Sequence, residues 1–287
     1  MSLFNNSWGK SFVGGSIMIG QTKLLGKIDK MLSTFPKFTI IVGAKGSGKK
    51  TIATHICNKL GLMMVNFGTG IDEVRNIIDL SYSQDKPICY FCPDADSMSI
   101  GAKNSLLKIT EEPPQNAYFI LTLQSINNTL ETIQSRATVL ALDNYTQDEL
   151  LNYRAKRGYG GSFDSIIKDV CVSTGEVDEL FKNDVPSFYK FANTIVNQIH
   201  IPTSGNIFKI PKSLKLSTNE KEVGFNPTLL FRTVRTLFLK KYIETKQPKY
   251  LLASNVTSEC LRDLNIQTVS KLGTVDKWIM DVRRVLR

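Results

Sequence analysis

The chemistry most legible in this sequence lies in the run Gly43-Ala44-Lys45-Gly46-Ser47-Gly48-Lys49-Lys50-Thr51. It follows the apolar segment Phe38–Val42 and opens a stretch with helical periodicity, the context in which a glycine-rich loop cradles phosphate. Gly43, Gly46 and Gly48 let the backbone approach a phosphate closely. The amides around Ser47 and the helix N-terminus supply partial positive charge, and Lys49 reaches the terminal phosphates. In the full pattern the lysine is followed by serine or threonine, whose hydroxyl binds magnesium. Here that position is Lys50, an ammonium that cannot ligate a cation, and Thr51 lies about 100° further round the helix.

A second requirement of such a site is a carboxylate at the end of a neighbouring strand to hold the magnesium shell, with another to position the attacking water. The sequence offers Phe91-Cys92-Pro93-Asp94-Ala95-Asp96. Set against the hydrophobic-Asp-Glu-Ala-Asp pattern of AAA+ proteins, Pro93 stands at the magnesium-shell aspartate and Asp94 at the catalytic glutamate. Two magnesium contacts are thus replaced, so ATP binding through Lys49 and the loop amides is retained as an expectation while magnesium ligation and hydrolysis are not. Cys89 and Cys92 form a C-x-x-C pair inside an apolar run, with no second ligand pair or nearby histidine, and read as packing residues rather than zinc ligands.

The elements that must position these groups alternate strand and helix. Strands are expected at 38–42, 62–65, 87–92, 117–123 and 138–142, with helices at 48–60, 71–82 and 97–112 between them, which implies a parallel sheet covered on both faces. After Leu142 the pattern becomes helical. Thr146 and Glu149 form a capping box, and a helix follows from about 163 to 173. A third unit begins near Pro186 with a helix through Ile199, then a Pro/Ser/Lys-rich stretch at 201–225 read as loop or extension. Asn226 and Pro227 open a helix to about Tyr242, and a last helix is expected at 267–286. The expected organisation is an α/β core at 1–143, a helical lid at 144–183 and an all-helical domain at 184–287.

The length of 287 residues and 42% hydrophobic content fit several domains with ample core. No apolar run approaches the roughly 20 residues needed to span a bilayer, and the beginning of the chain has no secretory pattern, so a cytoplasmic setting without membrane contact is expected. The net charge is +10, and its distribution is uneven: residues 1–183 carry 19 basic and 18 acidic side chains, residues 184–287 carry 17 and 8. A polyanionic or acidic partner for the last third is one consequence, and a solvated basic face the other.

Several ordered motifs resemble those of AAA+ clamp-loader subunits, particularly the bacterial delta-prime and gamma type. Ile19-Gly20-Gln21 is similar to the segment before that family's phosphate loop, and Asp94-Ala95-Asp96 to its acidic box. Leu106-Leu107-Lys108-Ile109-Thr110-Glu111-Glu112-Pro113-Pro114 is close to its L-L-K-x-x-E-E-P-P run, and Thr132-Ile133-Gln134-Ser135-Arg136-Ala137 to its T-I-x-S-R-C motif. The resemblance runs from about residue 16 to 183. It implies an AAA+ core, a helical lid and a C-terminal collar that oligomerises the complex, where Arg232, Arg235, Lys240 and Lys241 surround an apolar helix face. It implies that Arg136 is an arginine finger that stabilises charge in a neighbouring subunit's ATP site, worth on the order of 10³ to 10⁵ in rate. It further implies other loader subunits, a sliding clamp and primer-template DNA as partners, with Arg75 and Lys103 as candidate phosphate contacts.

Two positions depart from the resemblance. Gln124 stands at the first sensor and retains hydrogen-bonding capacity, whereas Thr174-Gly175-Glu176-Val177-Asp178 offers carboxylates where the second sensor is an arginine, and a carboxylate there would repel phosphate. Three readings stay open: a subunit with a degenerate site that acts in trans through Arg136, a hydrolysing subunit in which Thr51 and Asp94 fill the vacant roles, and an AAA+ protein that binds DNA or recruits a helicase without a clamp.

Overall fold

A computed structural model of the chain describes residues 18–182, 184–201, 210, 224–264 and 269–287. Contacts divide these into two units. One holds the described residues through Ile41 together with Gly48–Leu140, and the other holds Val42–Ser47 with the described residues from Ala141 to Arg287.

The first unit is built on a five-stranded sheet: β1 (Phe38–Val42), β2 (Met63–Asn66), β3 (Ile88–Cys92), β4 (Ala117–Leu123) and β5 (Thr138–Ala141), in the order β2-β3-β4-β1-β5. β3 runs parallel to both β2 and β4, with Ile88 beside Met63 and Ala117. All five β3 residues are buried, as a strand covered on both faces requires, and Phe119 stacks with Phe38 and Tyr90 across the sheet. Cys89 and Cys92 are free thiols within this strand, and burial pushes Cys92 up to about 11.

The intervening helices are α1 (Thr22–Met31), α2 (Lys49–Leu60), α3 (Ile71–Tyr82), α4 (Ile100–Ser105), α5 (Leu107–Glu111) and α6 (Glu131–Gln134). α2 stops at Gly61, whose left-handed φ of 65° turns its N–H back toward Cys57 and Asn58. The single helix expected at 97–112 is instead a short 3-10 turn at Ala95–Ser97 followed by α4 and α5, with Ser99 capping α4 through the Ala102 N–H.

In the second unit lie α7 (Gln147–Lys156), α8 (Asp164–Val170), α9 (Thr174–Lys182), α10 (Val185–Gln198), α11 (Pro227–Thr245), α12 (Pro248–Leu264) and α13 (Lys271–Leu286). The Thr146/Glu149 capping box and the Asn226 cap with Pro227 in the first turn both form as expected. α12 has no counterpart among the sequence-based expectations, and α13 begins later than anticipated. Of the expected loop at 201–225, residues 202–209 and 211–223 lie outside the described residues, as does the segment before Met18. The core here is dominated by Phe231, Phe238 and Trp278, with Phe231 and Trp278 edge to face at 4.6 Å. No helix among the described residues is long and apolar enough to cross a membrane.

Candidate functional site

The phosphate loop leaves β1 through Gly43 and reaches α2 at Gly48. Gly46 and Gly48 have φ of 76° and 92°, a conformation that L side chains rarely adopt, so the sequence pattern and the backbone agree on why glycine stands at each. Lys49 and Lys50 form the first turn of α2. Burial holds the Lys49 ammonium below the usual lysine range, opposed by the nearby Asp96 and Asp94 carboxylates. Lys50 is exposed and Thr51 half-buried.

The acidic run leaves β3 directly. Pro93 lends its carbonyl to the Thr122 hydroxyl at 2.6 Å, and Asp94 accepts from Ser97 Oγ at 2.7 Å. Asp96 accepts from the Gln124 main-chain N–H at 2.8 Å and from Asn128 Nδ2 at 2.7 Å. The turn after β4 is therefore fixed by a carboxylate, and Gln124 itself is exposed. These residues fit a triphosphate better than they fit its metal. Lys49 is partly desolvated beside the loop glycines, whereas Pro93 has no carboxylate and Lys50 has no hydroxyl. Among the described residues, no group of three or more His, Cys, Asp or Glu is arranged to hold a metal ion.

Loop residues 42–47 pack within the second unit. The Gly46 carbonyl accepts from the Gly175 N–H at 2.9 Å and from the Thr174 hydroxyl at 3.2 Å. Tyr145 donates its hydroxyl to the Ser47 carbonyl at 2.9 Å, and the Leu142 N–H bonds the Val42 carbonyl at 2.8 Å. A Cβ on Gly175 would sit 2.6 Å from Gly46 Cα, so the two glycines permit a backbone contact that any side chain would block. Ser47 Oγ is buried with no hydrogen-bond partner among the described residues, which leaves one orphaned hydroxyl in the loop.

The carboxylates expected to repel a phosphate have partners in the structure. Glu176 accepts from Arg232 Nη1 at 2.7 Å and from the Val172 N–H at 2.8 Å, and Asp178 accepts from Tyr153, Tyr159 and Arg157. Both carboxylates are thus directed to partners within their own unit. The same contacts revise the basic face expected on α11. Arg232 and Lys240 are paired with Glu176 and Asp169, and the Lys241 ammonium lies over the Tyr250 ring at 5.3 Å. Arg235 leaves a buried Nε without a partner among the described residues.

Arg136 follows α6 directly. Its Nη1 donates to the Thr132 carbonyl at 2.9 Å and its Nη2 pairs with Glu111 at 2.9 Å, with 39% of the arginine side chain exposed. Of the two candidate DNA contacts, Arg75 is exposed on α3, while Lys103 on α4 is half-buried and donates to the Asn128 carbonyl at 2.6 Å. Sequence reasoning did not anticipate the contacts of Glu111, Thr174, Tyr145 and Arg232: Glu111 was legible only as part of the L-L-K-x-x-E-E-P-P run, Thr174 only as part of the second-sensor segment, Arg232 only as part of a basic face, and Tyr145 carried no signal.

Residues 69–146 match the family described as DNA polymerase III, delta subunit. The chain is 27% identical over 158 residues to DNA polymerase III subunit gamma of Buchnera aphidicola subsp. Schizaphis graminum, covering 53% of this chain and 43% of that protein. It is 30% identical over 123 residues to Replication factor C subunit 4 of Encephalitozoon cuniculi, covering 39% and 40% of the two chains. The chain thus spans less than half the length of these relatives. Among solved structures, a gamma subunit-related DNA polymerase III protein of Thermotoga maritima superposes with a TM-score of 0.54 at 14% identity, over 92% of this chain and all of that one. A RuvB variant of Thermotoga maritima gives 0.50 at 16%, over 79% and 77%. The fold is that of AAA+ proteins, and the motifs resemble those of the DNA polymerase III gamma and delta-prime subunits.

Proposed function

We propose that this chain is a subunit of a clamp loader in DNA replication, whose own nucleotide site is degenerate and whose contribution to catalysis is made by Arg136 in a neighbouring subunit's ATP site. The observation that carries the reading is a contrast within one core. Arg136 stands partly exposed at the end of α6, while the positions that would hold magnesium are Lys50 and Pro93. An arginine finger needs only a held guanidinium and access to a developing phosphoryl charge. Hydrolysis in cis needs the metal shell that this sequence has replaced.

In this reading Gly43, Gly46, Ser47, Gly48 and Lys49 hold at most the phosphates of ATP, Asp94 serves Lys49 as a counter-charge, and Gln124 has no metal-bound water to sense. Residues 144–183 are the lid and 184–287 the collar that meets the other subunits in the cytoplasm. Primer-template DNA is contacted through phosphates by Arg75 and, after release from Asn128, by Lys103, which makes that contact salt-sensitive and sequence-tolerant. The sliding clamp is the object the assembly places on the DNA.

The test begins with the purified chain alone, which should turn over ATP negligibly with or without magnesium. Isolated through a tag from its native host, it should bring down AAA+ partner subunits that hydrolyse ATP in response to clamp and primed DNA. Robust turnover by the isolated chain that Lys49→Ala abolishes would remove the proposal in favour of a hydrolysing subunit.

A further inference from the structure

The L-L-K-x-x-E-E-P-P run identifies a resemblance, but that resemblance assigned none of its residues a task. The geometry points to one: Glu111 is a positioning residue for Arg136, holding the guanidinium in the orientation from which it reaches a neighbouring phosphoryl group. This inference rests on the trans-acting role proposed for Arg136.

Three observations carry it. Glu111 is the last residue of α5, and α5 packs against α6, so the two side chains are presented from the ends of adjoining helices. Glu111 Oε1 lies 2.9 Å from Arg136 Nη2, and the Thr132 carbonyl takes a hydrogen of Nη1 at 2.9 Å. A guanidinium has five N–H groups in a rigid plane. One Nη1 hydrogen is bonded to the Thr132 carbonyl and Nη2 is held in ion-pair contact with Glu111, so the two terminal nitrogens are tethered at separate points of the protein, which restricts both the position and the rotation of the plane. With 39% of the side chain exposed, the rest of the fork can face the oxygens of a phosphoryl group, and a forked donor matches those oxygens only when its plane is correctly turned.

The pair is also unlike a packing contact. Glu111 is 54% exposed, and exposed ion pairs contribute little to the stability of a fold, so stability alone gives it little to do. Ordering a flexible side chain before the reaction is where such a contact acts, because the conformational entropy of Arg136 is then lost in advance rather than in the transition state.

The test uses the complex that co-isolates with this chain. Glu111→Ala should lower clamp- and DNA-stimulated kcat about fivefold, the equivalent of about 1 kcal/mol, while KM for ATP and complex assembly stay unchanged. Glu111→Gln, which keeps an acceptor oxygen, should fall between Glu111→Ala and the natural protein. In an Arg136→Ala background, Glu111→Ala should have no further effect.

Unchanged kcat for Glu111→Ala, or an equal loss in both backgrounds, would overturn the positioning role while leaving the finger in place. No loss from Arg136→Ala itself would remove the finger and, with it, the role of Glu111. In the isolated chain, NMR should show hindered rotation of the Arg136 guanidinium that Glu111→Ala frees, with Tm moved by no more than a degree or two. Free rotation in the natural protein would also contradict the inference.

Discussion

At the scale of single residues, the phosphate loop shows how one contact redefines a site. The glycines at 46 and 48 were legible because the loop pattern asks for glycine there, and their left-handed φ agrees. Nothing local to the loop revealed that the Gly46 carbonyl would be held by Gly175 and Thr174, which stand well over a hundred residues later in the chain. The Gly46–Gly175 approach makes a sharp prediction. Gly175→Ala places a methyl 2.6 Å from Gly46 Cα and 3.1 Å from its carbonyl oxygen, and backbone cannot swing aside as a side chain can. Urea unfolding should show a loss of about 1 to 3 kcal/mol, the usual cost of overpacking. Gly26→Ala, in open space on helix α1, should be neutral or stabilising by about 0.5 to 1 kcal/mol. Equal effects at the two positions would show that the Gly46–Gly175 contact is not tight.

At the scale of elements, helix α9 is tied to α11 by an ion pair rather than by apolar packing alone. Arg232 is 19% exposed and Glu176 18%, and the same Arg232 nitrogen also reaches the Val170 carbonyl at 2.7 Å. Among the described residues, removing the arginine leaves Glu176 with only the Val172 N–H and takes a donor from the carbonyl of buried Val170, so Arg232→Ala should cost about 2 to 3 kcal/mol. Glu176→Gln retains an acceptor and should cost less. Thermal unfolding with both variants measures the difference, and a neutral Arg232→Ala would show that the pair is solvated.

Helix α12 marks where sequence periodicity fell short. Its buried face is Ala253, Ser254, Thr257, Cys260 and Leu264, a helical spacing written mostly in small or polar residues. Thr257 is satisfied there by donating to the Ala253 carbonyl and accepting from Trp278 Nε1, contacts that a hydrophobic pattern does not register. The strands of the core, by contrast, were legible to within a residue or two, because burial on both faces demands unbroken apolar runs such as Ile88–Cys92. The expected helix at 97–112 differs in two places: Ser99 caps a fresh start at Ile100, and the helix is interrupted at Leu106 before α5.

At the scale of the molecule, the basic excess of the last third left a polyanionic partner and a solvated face both open, and within it Arg232 and Lys240 are paired with Glu176 and Asp169. The more durable signal was the order of the motifs along the chain, which gave the AAA+ fold and placed Arg136 at the end of α6.

The most direct test is the steady-state ATPase of the co-isolated complex carrying Arg136→Ala, read beside nucleotide binding by the same complex. The account predicts that binding and assembly persist while clamp- and DNA-stimulated turnover at the adjoining site falls by on the order of 10³-fold. Turnover equal to that of the natural complex, with the substituted subunit present at full stoichiometry, would contradict it.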